Sequence, residues 1–282
     1  MGIVGFYFLV MFAIGIVASR KIASSGDYYL GGKSFGPWFT AFKFASTWES
    51  GTKLVGTPGM AWNVGWAAFV QGMATPLCYF FSFRVFGQRL KRACDKFNVI
   101  TVPQLLEKRY SSKTVRVLGA ITILVGLGGS LVAQYKATGE IFSSVLGMTY
   151  VQGLFIGVLV VGIYSILGGY LASVWTDFVQ GIVMAIGSII IFVAAIRASF
   201  GTFTLNFIPR MNEALAQANP SMLEITAGGK MPWTQIVVIL TITLLVGIAL
   251  PQQSVAIFSM RDVRVARSAL IICVMFSAIL AW

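Results

Sequence analysis

Six ionisable side chains lie inside the most apolar stretches of this sequence. They comprise three basic and three acidic residues: Lys43, Lys53, Lys136, Glu49, Glu140 and Asp177. A charge at membrane depth is costly, so such groups usually face the interior of a helix bundle or a water-filled cavity. Lys43 stands near one end of its apolar stretch, where we expect its long side chain to snorkel towards the interface.

Two pairs of these residues have the spacing i and i+4, which places both members on one face of a continuous helix. Glu49 and Lys53 lie in ASTWESGTKLVGTPG (45–59), and Lys136 and Glu140 lie in QYKATGE. Each pair has two interpretations. The charges neutralise each other and have no further role, or they line the path of a polar substrate or an ion.

The stretch 45–59 also carries helix-breaking residues, namely Gly51, Gly56, Pro58 and Gly59. Such residues free backbone carbonyls and amides, which a membrane tolerates only where protein, water or an ion satisfies them. In the broken helices of transporters the freed carbonyls bind a cation, and a half-helix N-terminus faces an anionic group. The pattern therefore predicts an interrupted helix with oxygen ligands that suit Na⁺.

Asp177 stands in the apolar segment GGYLASVWTDFVQ (168–180), with Gln180 on the same helix face at i+3. A lone aspartate has two interpretations here: a structural hydrogen-bond acceptor, or a carboxylate that binds or relays a cation. Gly168 and Gly169, at the start of the segment, permit a tight turn after the preceding helix.

The elements that must position these residues are membrane-spanning helices. Hydrophobic residues make up 57% of the 282 residues and charged residues only 11%, against about 25% charged in soluble domains. A helix that crosses the bilayer needs about 20 apolar residues. The sequence thus predicts an all-α polytopic membrane protein with eight helices, at 1–19, 36–62, 64–90, 114–146, 150–167, 171–198, 232–258 and 267–282. Because the last helix reaches Trp282 in mid-span, we expect the chain to be truncated at its C-terminus.

The net charge is +12, and the positions of the basic residues agree with the predicted helices. With the N-terminus outside, 15 of the 21 Lys and Arg residues fall in cytoplasmic stretches, and three fall in external ones. This bias is typical of a multi-pass protein of the plasma (inner) membrane. The basic charge therefore indicates loops beside a lipid bilayer, and we expect no nucleic-acid partner.

The sequence lacks the residues that several kinds of chemistry require. There is no histidine, which excludes histidine-ligated metals and histidine acid–base catalysis. The three cysteines, Cys78, Cys94 and Cys273, show no metal-binding spacing, and we expect free thiols. An intramembrane enzyme that uses Asp177 and Glu140 lacks a nucleophile motif, and no ATP-binding motif is present.

Four segments together resemble the sodium/solute symporter family. They are GDYYLGGKSFGPW (26–38), STWESGTKLVGTPGMAWNVGW (46–66), GGYLASVWTDFVQ (168–180) and, after PQQS (251–254), FSMRDVRVARSA (258–269). The resemblance implies a LeuT-type fold, in which two inverted five-helix repeats follow an extra first helix. The single transporter domain, 1–282, would then divide into the extra helix with a cytoplasmic loop (1–35), the first repeat (36–198), an external loop (199–231) and the start of the second repeat (232–282).

The resemblance also implies site residues. The family's sodium site would take the backbone carbonyls of Ser46 and Glu49, and its partner helix would lie beyond residue 282. The family's aspartate on the sixth helix, associated with sodium passage or a second sodium, corresponds to Asp177. The regions that contact substrate in the family offer six candidates here: Ser50, Lys53, Gln71, Gln134, Lys136 and Gln252.

Glu49 and Lys53 depart from the common pattern of the family, whose members mostly have uncharged residues there. Lys53 and Lys136 near the site would favour a solute that carries a carboxylate. The expected function is Na⁺-coupled symport of a small polar solute (an amino acid, vitamin, sugar or carboxylate) by alternating access. The alternative is the membrane sensory module of a transporter-like sensor kinase.

Overall fold

The computed structural model describes residues 2–49 and 51–280, which form helices and, within those two ranges, no strand. The helices are α1 (Gly2–Ser19), α2 (Ser25–Leu30), α3 (Pro37–Trp48), α4 (Gly51–Val64), α5 (Phe69–Phe80), α6 (Gln88–Phe97), α7 (Val102–Tyr110), α8 (Lys113–Leu146), α9 (Tyr150–Phe200), α10 (Phe207–Ala218), α11 (Trp233–Ala249), α12 (Pro251–Phe258) and α13 (Val265–Leu280). A π-helical segment, Phe81–Gly87, joins α5 to α6.

Three helical stretches in the described part of the chain are long and apolar enough to cross a membrane: Gly56–Phe97, Lys113–Leu146 and Tyr150–Phe200. A bent pair, Trp233–Gly247 with Pro251–Phe258, makes a fourth if it counts as one span. The shorter apolar helices Gly5–Ser19 and Val265–Leu280 coincide with the predicted first and last spans. The helices α7 and α10 lie in the two long connections of the sequence.

Helix α9 contains two predicted spans in one element. Its 51 residues correspond to roughly 76 Å at 1.5 Å per residue, well beyond a hydrocarbon core of about 30 Å. Gly169 divides it, because its backbone leaves the helical region at φ 52° and ψ −145°. A side chain at this position would collide with the ring and the carbonyl oxygen of Tyr28. The predicted turn at Gly168–Gly169 is therefore a kink between two helical halves.

In the part of the chain that the structure describes, a break separates α3 from α4 and another separates α11 from α12. The first helix half, α3, ends at Trp48, and Glu49 leaves the helical region with ψ 79° before α4 begins at Gly51. This is the interruption that the sequence predicts. The second interruption, at Leu250, separates α11 from α12 by a bend of 43°.

The sequence-based prediction of one continuous helix over 232–258 is wrong, because α11 and α12 are separate. The physical reason is Pro251, which begins α12. A proline disfavours helical backbone in the residue before it, and Leu250 is accordingly extended at ψ 123°. Proline is also well suited to the first position of the new helix.

The main core surrounds α3, which packs against α9 and α13. Its members come from α3, α5, the π-helical segment, α12 and α13, and include Phe44, Tyr79, Phe83, Ile257, Ala269 and Phe276. The loop after α12 is held to the start of α3 by backbone hydrogen bonds, in which Phe35 donates to Ser259 and accepts from Arg261. Helix α3 is thus held by packing along its length and by backbone hydrogen bonds just before its N-terminus.

Candidate functional site

Lys43 and Asp177 form an ion pair between α3 and α9. Lys43 Nζ lies 2.6 Å from Asp177 Oδ2 and donates a second hydrogen bond to Ser173 Oγ at 2.8 Å. The side chains are only 12% and 19% exposed. The Lys43 ammonium also lies 5.5 Å from the centroid of the Tyr170 ring, within the range of a cation–π contact.

The expectation that Lys43 snorkels to the interface is wrong. A carboxylate and a hydroxyl one turn apart on α9 satisfy the ammonium inside the protein. Charge-assisted hydrogen bonds of this length are among the stronger polar contacts in proteins. The buried Asp177 carboxylate needs a cation as much as the lysine needs an anion, so the pair replaces contact with water.

Helices α3 and α9 pack closely enough for Lys43 and Asp177 to meet. Gly181, one turn beyond Asp177, lies against the Phe42 ring, and a methyl group in its place would overlap that ring. Phe178 packs between two rings of α3, at centroid distances of 4.8 Å from Phe39 and 4.9 Å from Phe42. These contacts flank Lys43 and hold its helix against Asp177.

The end of α3 carries the predicted sodium ligands. The hydroxyls of Ser46 and Thr47 donate to the carbonyls of Phe42 and Lys43, at 2.6 and 2.7 Å, so both side chains turn back along the helix. The Glu49 amide donates to the Ala45 carbonyl at 2.9 Å. A helix leaves its last carbonyls without intrahelical donors, and the Ser46 carbonyl belongs to the terminal turn of α3, which Glu49 caps.

The two broken spans meet through Gln253 on α12. Its side chain is 1% exposed, and its Nε2 donates to the Phe44 carbonyl on α3 at 3.2 Å. Gln253 Oε1 and the neighbouring Gln252 Oε1 are buried and have no hydrogen-bond donor among the described residues. A buried acceptor left unpaired costs about 1–3 kcal/mol, so both oxygens are suited to a cation or to a donor group of a ligand.

Sequence reasoning identified Gln252 as a candidate and missed Gln253. The available signal was the pair of glutamines that directly follows Pro251 in an apolar helix. A proline-initiated half-helix places both residues in its first turn. Their side chains then lie beside the interruption rather than in a continuous span.

The other substrate candidates are spread over several elements. Gln71 on α5 and Gln134 on α8 are half-buried, whereas Lys136 and Glu140 on α8 are exposed. Within residues 2–49 and 51–280, none of the ion pairs involves Lys136 or Glu140. Ser50 and the side chain of Lys53 lie outside the described residues, so the predicted Glu49–Lys53 pair does as well.

The GDYYLGG motif forms part of a pocket at the N-terminal end of α3. Ser24 caps α2, and its hydroxyl donates to Asp27 Oδ2 at 2.8 Å. This hydrogen bond lowers the pKa of the Asp27 carboxyl below its ordinary value. The pocket has a volume of about 710 Å³ and is also lined by Lys21 and Trp175, where the Lys21 ammonium lies 4.7 Å from the Trp175 ring.

The fold and the site together define a class of protein. Two interrupted helices meet near their breaks, and polar groups are buried between them in an otherwise apolar bundle. Secondary transporters with inverted repeats have this architecture, because discontinuous helices expose backbone atoms to ions and substrates. The chain is a polytopic helical membrane protein with this kind of broken-helix architecture.

The chain belongs to the sodium:solute symporter family, which matches residues 28–282. It is 27% identical over 198 residues to the sodium/pantothenate symporter of Escherichia coli, a match that covers 69% of this chain and 41% of the relative. It is 36% identical over 177 residues to the high-affinity proline transporter PutP of Bacillus subtilis, covering 62% and 37% respectively. These relatives are transporters rather than enzymes.

A solved structure confirms the fold. A Na⁺-coupled sialic acid symporter, in a substrate-bound outward-open state, superposes with a TM-score of 0.79 at 19% identity. The match covers 99% of this chain and 57% of the symporter. The predicted LeuT-type fold is therefore correct, and the chain spans less than half the length of the two curated relatives above.

Proposed function

We propose that this chain forms part of a secondary transporter that couples the entry of Na⁺ to the entry of a small polar solute. The observation that carries the proposal is the buried contact between the two broken spans, where Gln253 of α12 meets the Phe44 carbonyl of α3. Family membership supports Na⁺ as the coupling ion. The protein would lie in the plasma (inner) membrane, with its N-terminus outside.

In this proposal Na⁺ binds the backbone carbonyls of Ser46 and Glu49 at the end of α3. The carbonyl end of a half-helix carries partial negative charge, which favours a cation. Asp177, one of the acidic groups at membrane depth, lies on the route of the ion. Bound Na⁺ would order the break, and by linkage Na⁺ and solute would each raise the affinity for the other.

The solute would bind near the same break, in contact with a subset of the predicted candidates Ser50, Lys53, Gln71, Gln134, Lys136 and Gln252. Proline, pantothenate and sialic acid, the solutes in the names of similar transporters, all carry a carboxylate. A lysine at position 53 suits such a group. We therefore infer that the solute is a small carboxylate-bearing molecule.

Uptake by the intact protein in proteoliposomes tests both parts of this proposal. An inward Na⁺ gradient should drive accumulation of at least one radiolabelled solute from a panel of amino acids, vitamins, sugars and carboxylates, whereas a choline gradient should not. Lys53→Ala should raise the KM for a carboxylate solute about tenfold or more, since a charged hydrogen bond contributes about 1.5–3 kcal/mol. Uptake that ignores the Na⁺ gradient would overturn the proposal, and an unchanged KM in Lys53→Ala would remove the assigned role of that residue.

A further inference from the structure

We propose that Lys43 is a tethered counter-cation of Asp177, which Na⁺ must displace to reach that carboxylate. The inference rests on the proposed function, in which Na⁺ is the coupling ion. The Lys43 ammonium donates hydrogen bonds to two oxygen atoms, Asp177 Oδ2 at 2.6 Å and Ser173 Oγ at 2.8 Å. A carboxylate and a hydroxyl on successive turns of one helix are the kinds of oxygen that a hard monovalent cation uses.

Charge balance makes the two cations compete. Asp177 and Lys43 are mostly buried, and an unpaired charge in such surroundings is strongly destabilising. With the ammonium in place, the pair is neutral. The carboxylate carries a single negative charge and needs only one counter-cation, so Na⁺ and the ammonium exclude each other at Asp177 Oδ2.

The Lys43 ammonium has one further contact that does not involve the carboxylate. The Tyr170 ring lies 5.5 Å from the ammonium, and the Tyr170 hydroxyl contacts Ser259 Oγ at 3.2 Å. Lys43 also shares α3 with Ser46, one turn further along. Displacement of the ammonium therefore acts on the helix that carries the proposed sodium ligands.

A substitution that removes the Lys43 ammonium should let Na⁺ bind Asp177 without a competing cation. Binding of ²²Na⁺ alone to the purified intact protein measures this directly and requires no knowledge of the solute. We expect Lys43→Met to bind Na⁺ with an apparent Kd lower than that of the wild type by about fivefold or more, a typical size for coupled binding. The gain should vanish in Lys43→Met/Asp177→Asn, whereas Lys43→Arg, which keeps the charge, should bind like the wild type.

Thermal unfolding in NaCl and in choline chloride separates this role from a purely structural one. Lys43→Met should gain a Na⁺-specific rise in unfolding temperature that exceeds the rise in the wild type, because Na⁺ takes the place of the missing ammonium. A pair with only a structural role would lower the unfolding temperature equally in both salts, which would contradict the inference. If Lys43→Met does not fold in either salt, Lys43→Gln provides the same comparison with an uncharged donor.

The possible outcomes separate a failure of this inference from a failure of the proposed Na⁺ coupling. A wild type that binds ²²Na⁺ beside a Lys43→Met variant with an unchanged Kd overturns the inference alone. A gain that persists in the double variant also overturns it, because Asp177 would then not be the site of the gain. No saturable ²²Na⁺ binding in any of the proteins would overturn the proposed coupling to Na⁺ and the inference with it.

Discussion

Gln253 supplies a hydrogen bond between the two broken spans. Its amide nitrogen binds the Phe44 carbonyl, while its buried oxygen has no donor among the described residues. An unpaired buried acceptor is unfavourable unless a ligand completes it. The residue therefore combines one structural bond with one oxygen that is suited to binding.

We predict that Gln253→Met changes binding much more than stability. The lost hydrogen bond contributes about 0.5–1.5 kcal/mol, and removal of the unpaired oxygen offsets part of that loss. Uptake by the intact protein should show a KM for the solute, or an apparent Kd for Na⁺, raised about tenfold or more. Gln235→Met, on an exposed position of α11, is the matched control. A variant with normal uptake and a large loss of thermal stability would show that Gln253 is only structural.

At the scale of elements, the approach of α9 to α3 decides whether Lys43 meets Asp177. Gly181 allows this approach because it has no side chain to collide with the Phe42 ring. The aromatic contacts of Phe178 then fill the space on either side of the helix crossing. The ion pair is thus a consequence of helix packing as much as of charge.

We predict that Gly181→Ala destabilises the folded protein. An added methyl group in a packed core typically costs about 1–3 kcal/mol, and here it would push α9 away from α3. Gly187→Ala on the same helix is the control, since its position is open and alanine favours a helix over glycine by about 1 kcal/mol. Thermal unfolding in detergent should rank Gly181→Ala below the wild type and Gly187→Ala at or above it. The reverse order would contradict the close packing.

For the whole molecule, the distribution of basic residues predicts which loops face the cytoplasm. The native cysteines Cys78, Cys94 and Cys273 are free and buried, so they leave little background for labelling. Exposed positions exist on both predicted sides, at Thr114 in the first turn of α8 and at Thr202 after α9. The orientation can therefore be measured with single added cysteines.

We predict that a membrane-impermeant maleimide labels Thr202→Cys on intact cells and leaves Thr114→Cys unlabelled. The physical reason is the excess of Lys and Arg on the cytoplasmic side of a membrane protein. Permeabilised cells provide the control, because both variants should then react to a similar extent. Labelling of Thr114→Cys alone on intact cells would place the N-terminus inside and reverse the proposed direction of the helices.

The sequence by itself determined most of the helices, an interruption within 45–59 and a turn at Gly168–Gly169. Each of these depends on residues close together in the chain: a run of apolar side chains, a cluster of glycines and prolines, or a pair of glycines. The family was also readable from such local motifs. The break at Leu250 could also have been predicted from a local feature, because Pro251 disfavours helical backbone in the residue before it.

Only the tertiary structure decided which polar groups meet. Lys43 and Asp177 are 134 residues apart, and Phe44 and Gln253 are 209 residues apart. Helical periodicity shows which residues share a face, but the partner of that face depends on how helices cross and on small residues such as Gly181 at the crossing. Lys43 was therefore expected at the interface and is instead paired inside the bundle, where a buried carboxylate stabilises it.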